Sequence, residues 1–102
     1  MKILFVCSAG MSSAIAAKAL KKEGEKAGLA IEVKECSTQA FEDEILNIYD
    51  LVMVAPQIRH RYSLLKEISD SNKIPCILIE PQGYSPLGGP KMLKQVKQEL
   101  NL

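Results

Sequence analysis

Lys2-Ile3-Leu4-Phe5-Val6-Cys7-Ser8-Ala9-Gly10-Met11-Ser12-Ser13 reads as a buried strand, a tight turn and the start of a helix, with a cysteine at the junction. Residues 2–6 are apolar and partly β-branched without polar alternation, as in a parallel strand covered on both faces. From Ala14 onward helix formers dominate, and apolar residues recur at helical spacing. A strand-turn-helix junction can direct successive backbone N–H groups at one point, and the helix N-terminus adds partial positive charge there. Together these make a cradle for a phosphate over Ser8, Ala9, Gly10, Met11, Ser12 and Ser13. The same field favours a cysteine in its anionic, nucleophilic form, so Cys7 is the candidate nucleophile.

Further along, the pattern repeats. Ser12 or Ser13 is a candidate cap for the first helix, whose expected buried stripe is Ile15, Ala16, Ala19 and Leu20, ending near Gly24 and Gly28. Residues 30–36 alternate apolar and charged, which predicts a second strand with one wet face, at a sheet edge. Thr38 is a candidate cap for a second helix to about Asn47, with Phe41, Ile45, Leu46 and Ile48 inward. Leu51-Val52-Met53-Val54-Ala55 is apolar throughout and stops at Pro56, which predicts a central third strand. A third helix spans about 57–69, with Ile58, Tyr62, Leu65 and Ile68 buried. Residues 74–79 form a fourth strand, begun by Pro75 and therefore suited to an edge. After a loop rich in proline and glycine, Pro90 opens a last helix with Leu93, Val96 and Leu100 inward.

Strict β-α alternation implies a four-stranded parallel sheet with helices on both faces. A wet second strand beside a dry first and third gives the order 2-1-3-4, a flavodoxin-like layout. Ligands in such sheets bind beyond the carboxyl ends of the strands where the order reverses, here between the first and third strands. Cys7 and Ala55 end those two strands. The Cys7 turn and the turn Ala55-Pro56-Gln57-Ile58 should therefore face each other across one crevice, with Gln57 looking in.

At 102 residues the chain suits one domain, 1–102. Thirteen basic against twelve acidic side chains give +1, in no long block, and the total shows no footprint for nucleic acid or an anionic membrane. Three cysteines without Cys-x-x-Cys spacing, and no basic and apolar leader before the first strand, point to a reducing cytosol. No apolar run reaches the ~20 residues of a membrane span, so no direct membrane insertion is expected. His60 lacks ligand-spaced partners, so no metal is expected; no other cofactor is expected either.

The spacing Cys7-x5-Ser13 is that of cysteine phosphatases, except that they place arginine where this chain has Ser13. Without a guanidinium to grip the phosphoryl oxygens, a loop of amides and hydroxyls can hold a phosphocysteine but is poorly equipped to hydrolyse it. A phosphatase also needs an acid for its leaving group, for which Glu80 is the candidate. Cys36 and Cys76 read as small buried side chains. Arg59, His60 and Arg61 are either a plain solvated face or a site that steers an anionic phosphodonor or docks a partner. Tyr84 is either loop packing or a hydroxyl near the phosphoryl group. The alternatives to a phosphoryl carrier are a low-molecular-weight cysteine phosphatase or arsenate-reductase-like thiol enzyme, and a binding domain that keeps only the fold.

Cys7-Ser8-Ala9-Gly10-Met11-Ser12-Ser13 after an apolar strand, with Ala55-Pro56-Gln57-Ile58 after the third, resembles the enzyme IIB component of the lactose/cellobiose/chitobiose class of the phosphoenolpyruvate-dependent sugar phosphotransferase system (PTS). The resemblance covers essentially the whole chain. It implies a cytosolic carrier, recruited to the inner membrane face by its transporter, that takes phosphate from a histidine of enzyme IIA onto Cys7. The phosphate then passes to a sugar held by the membrane transporter enzyme IIC, for instance the β-linked disaccharides cellobiose, chitobiose or lactose. It implies no metal.

Overall fold

The structure is a computed structural model that describes residues 1–7, 11–84 and 87–102, with backbone alone at 11–13. Four parallel strands, β1 (Lys2–Cys7), β2 (Glu32–Ser37), β3 (Leu51–Val54) and β4 (Cys76–Leu78), lie in the order β2-β1-β3-β4. The expected reversal between the first and third strands is thus present. Helices α1 (Met11–Lys26) and α4 (Gly89–Leu100) cover one face. Helices α2 (Phe41–Glu44) and α3 (Tyr62–Ser71) cover the other.

Side-chain alternation divides the core between the two faces. Ile3, Phe5, Leu51 and Met53 point toward α1 and α4, where Ala16, Leu20, Met92 and Val96 meet them. Leu4, Val6, Val52 and Val54 point the other way, toward Phe41, Ile45, Ile58 and Leu65. Every residue of β3 is buried, as its unbroken apolar run predicts, whereas β2 keeps Glu32, Lys34 and Glu35 in solvent at the edge.

Several boundaries differ from the sequence expectation. Helix α1 already begins at Met11, so Ser12 and Ser13 belong to its first turn instead of preceding it. Ala17 and Gly24 join its buried side, while Ile15 is 53% exposed. The second helix is a single turn from Phe41, continued by a 3-10 turn to Asn47. The Ser37 hydroxyl, not Thr38, accepts a bond near its start, from the Ala40 N–H at 3.3 Å. Only Phe41 and Ile45, one turn apart, reach the core; Leu46 and Ile48 are exposed. The chain reverses at Ile48 with φ +60, a costly conformation for a β-branched residue, on the order of 1–3 kcal/mol. The reversal turns Tyr49 inward and lets Asp50 bond β1 twice: Lys2 N–H donates to Asp50 Oδ2 at 2.7 Å, and Asp50 N–H to the Lys2 carbonyl at 2.8 Å. The third helix is preceded by a 3-10 turn, Pro56–Arg61, kinked at Ile58.

Between β4 and α4 two glycines, Gly83 and Gly88, come together. A Cβ on Gly88 would lie 2.0 Å from the Gly83 carbonyl oxygen, which is backbone and cannot swing aside. Gly88→Ala should therefore lower the unfolding free energy by about 1–3 kcal/mol, read as a lower midpoint in urea. Gly28→Ala, at φ +76 with open space around it, should cost about 1–2 kcal/mol through backbone strain alone.

Candidate functional site

Cys7 is the last residue of β1, opposite Ser37 of β2, and α1 begins four residues later. On its other side the Ala55 N–H donates to the Val6 carbonyl at 2.9 Å, which ties the end of β3 to the cysteine's neighbour. Alternation would send Cys7 toward the α1 and α4 face. Instead it belongs to the core cluster on the α2 and α3 side, which also holds Val54, Ala55 and Ile58, and is 4% exposed. Ser8, Ala9 and Gly10, the centre of the expected phosphate cradle, lie outside the described residues, as do the side chains of Met11, Ser12 and Ser13.

The opposite wall starts at Ala55, in extended conformation, and turns at Pro56. Gln57, Arg59 and His60 are exposed on this turn. A shallow groove of about 260 Å³ is lined by Pro56, Gln57, Arg59, Pro81 and Tyr84. The fold thus brings together three of the four nominated crevice residues, Gln57, Arg59 and Tyr84. His60 does not line the groove. Tyr84 is half-buried and packs against both halves of the core, at the end of the 3-10 turn Pro81–Gly83.

A residue that sequence reasoning did not nominate holds that turn. Gln95 of α4 donates through Nε2 to the Leu78 carbonyl at 3.0 Å and accepts at Oε1 from the Glu80 N–H at 3.2 Å. One side chain thereby joins the last helix to the end of β4. Its only trace in the sequence is a position bordering the Leu93 and Val96 stripe. Glu80, the candidate acid, has Oε2 3.6 Å from Lys91 Nζ, a half-exposed pair of small energetic weight.

The other two cysteines form no disulfide. Burial, with Glu44 and then Cys7 adding negative charge, pushes the Cys36 thiol up to about 12. Burial likewise pushes Cys76 up to about 11. A larger hollow of about 530 Å³ lies at the opposite end of the strands, among Lys2, Glu32, Lys34, Glu44, Asn47 and Tyr49. There the Tyr49 hydroxyl donates to Glu44 Oε2 at 2.6 Å, which holds the Glu44 carboxyl below its usual range. Burial and that same bond push Tyr49 up. None of the nominated residues lines this hollow.

Comparisons with known proteins bear on the chain as a whole. Residues 2–95 match the family described as PTS system, Lactose/Cellobiose specific IIB subunit. A PTS system lactose-specific EIICB component of Streptococcus mutans is 31% identical over 86 residues, covering 84% of this chain. The chain spans only 15% of the length of that relative. Among solved structures, the lactose-specific IIB component domain from Streptococcus pneumoniae superposes with a TM-score of 0.80 at 25% identity, over 97% of this chain and 96% of its own. The cellobiose-specific IIB component protein from Borrelia burgdorferi gives 0.74 at 28% identity, over 99% of this chain and 92% of its own.

The raised thiols set a pH dependence. An unfolded cysteine ionises near 9, whereas folded Cys36 holds its proton to about 12, so between these values the folded state binds more protons. Stability should be intact below about pH 9 and fall as pH rises toward 12. Guanidinium midpoints measured across that window should decline in the wild type and decline less in Cys36→Ala.

Proposed function

The chain belongs to the lactose/cellobiose-specific IIB family of the PTS, and on that premise we propose that it is a phosphoryl carrier whose phosphorylated residue is Cys7. The observation that carries the reading is the position of Cys7: at the carboxyl end of a central strand, where strand order reverses, just before a helix N-terminus. Residues 1–102 act as one IIB domain. The donor is a phosphohistidine of enzyme IIA, and the acceptor is a hydroxyl of a sugar held by enzyme IIC, with a β-linked disaccharide as the substrate class. The EIICB name of the Streptococcus mutans relative, which pairs a C with a B unit, supports a IIC partner. No helix among the described residues is long and apolar enough to cross a membrane. In this reading the domain works at the inner face of the membrane while its partner spans it.

In the first transfer the Cys7 thiolate attacks phosphorus in line, forming the S–P bond as the N–P bond to the donor histidine breaks. The electron pair of the broken bond returns to the imidazole. Backbone amides of residues 8–13 and the hydroxyls of Ser8, Ser12 and Ser13 receive the phosphoryl oxygens, and the α1 N-terminus stabilises their charge by roughly 0.3–1 kcal/mol. In the second transfer a sugar hydroxyl attacks phosphorus, its proton passes to solvent, and the S–P bond breaks to return the thiolate. Ser13 in place of a phosphatase arginine keeps the cradle weak enough for the second step. Gln57, Arg59 and Tyr84 line the approach, where Arg59 brings a cation toward the incoming phosphoryl group.

Two measurements test this. After incubation with phosphorylated enzyme IIA, mass spectrometry should find one phosphate on the peptide containing Cys7 and none in Cys7→Ser. Turnover of an aryl phosphate without any accessory protein would instead identify a phosphatase and sink the carrier reading. Arg59→Ala should raise the KM for phosphorylated enzyme IIA by about tenfold at low salt, the loss of one charge-assisted contact, and by less at high salt.

A further inference from the structure

The near-neutral total conceals a segregation of charge across the sheet. Helices α1 and α4, side by side on one face, carry seven lysines against three glutamates, a side-chain charge of +4. The rest of the chain, whose total is +1, therefore carries −3. Neither helix contains an arginine. Two of the lysines are paired, Lys26 with Glu23 at 3.3 Å and Lys91 with Glu80 at 3.6 Å. Lys18, Lys21, Lys22, Lys94 and Lys97 have no ion-pair partner among the described residues.

The same layer exposes apolar side chains that the core does not use. Ile15 shares the outer stripe of α1 with Lys18, Lys22 and Lys26, at helical spacing. Leu87, 91% exposed, stands beside the seam between the two helices. Two hollows of about 270 and 460 Å³ run along that seam. Ala19, Leu87, Pro90, Leu93 and Leu102 supply apolar lining, Glu23 borders both hollows, and lysines 22, 26, 94 and 97 outnumber it around them.

We propose that the α1 and α4 face is a docking surface for a bilayer rich in anionic phospholipid. Two helices laid side by side on a sheet present a broad, nearly flat slab, which suits a plane. Solvated ammonium groups on flexible stems suit a fluid array of headgroups. An acidic protein patch would be met better by arginine forks, which are lacking here. Ile15 and Leu87 are placed to enter the interfacial region while the lysines stay at headgroup level. The contact is adsorption, not insertion. Because α1 starts just beyond the Cys7 turn, this face runs up to the end of β1, and docking leaves that end of the strand at the edge of the contact instead of beneath it.

The test is co-sedimentation of the full chain with vesicles at low ionic strength. Phosphatidylcholine vesicles containing about one third phosphatidylglycerol should bind at least about tenfold more protein than phosphatidylcholine alone, and about 0.5 M salt should abolish the difference. Lys22→Glu with Lys94→Glu should lower binding by at least about tenfold. Lys66→Glu with Lys73→Glu, the same charge change outside this face, should stay within about twofold of wild type, with circular dichroism confirming that both variants fold. Cys7→Ser should bind as wild type, which separates this proposal from the phosphoryl-carrier reading. No preference for anionic vesicles, equal loss in both double variants, or binding to an acidic protein but not to vesicles would overturn it.

Discussion

Strand β1 is hydrogen-bonded on both edges and covered on both faces, and this double enclosure fixes nearly everything else. A segment with no wet side cannot slip by one residue without turning its whole apolar set onto the wrong layer, so its register with β2 and β3 is held firmly. Its last residue is then fixed too. The chemistry proposed for Cys7 needs that rigidity, because in-line transfer tolerates little error in the distance and angle of attack. Strength in the centre of the sheet therefore becomes accuracy at its rim.

The second half of the candidate site is built less directly. Pro56 begins its wall simply because β3 must stop there, but the turn carrying Tyr84 depends on contacts from far along the chain. Gln95 holds the backbone at Leu78 and Glu80, and Gly88 comes closer to the Gly83 carbonyl than any side chain would allow. The groove thus has one wall set by local sequence and one set by the docking of the last helix. A change in α4 can reach the site without touching any residue that lines it.

Much of this was legible in the residues, because the signals were those of period and interruption. The unbroken apolar run at 51–55, the alternation at 30–36 and the prolines at 56, 75 and 90 gave strand order and the point of reversal. What escaped depends on tertiary geometry. Ile15 satisfies a helical apolar pattern yet faces solvent on the outer side of α1, and Ile48 falls just past the end of its helix, where the chain reverses. The inward placement of Cys7, in the core cluster that holds Val54 and Ile58, breaks the alternation of its own strand. Gln95 bonds backbone groups that no local pattern connects to it, and the sum of charges hid their distribution between layers. The cradle of Ser8, Ala9 and Gly10 rests on the sequence alone.

The two outer strands guard the flanks of the sheet. Glu32, Lys34 and Glu35 stud one free border with alternating sign, and the other is only three residues long and preceded by Pro75, which has no N–H to offer. Neither border presents a flat, greasy ribbon to which a stranger's backbone could anneal. Crowding against other chains therefore leads to encounters that come apart again, and not to fibre growth.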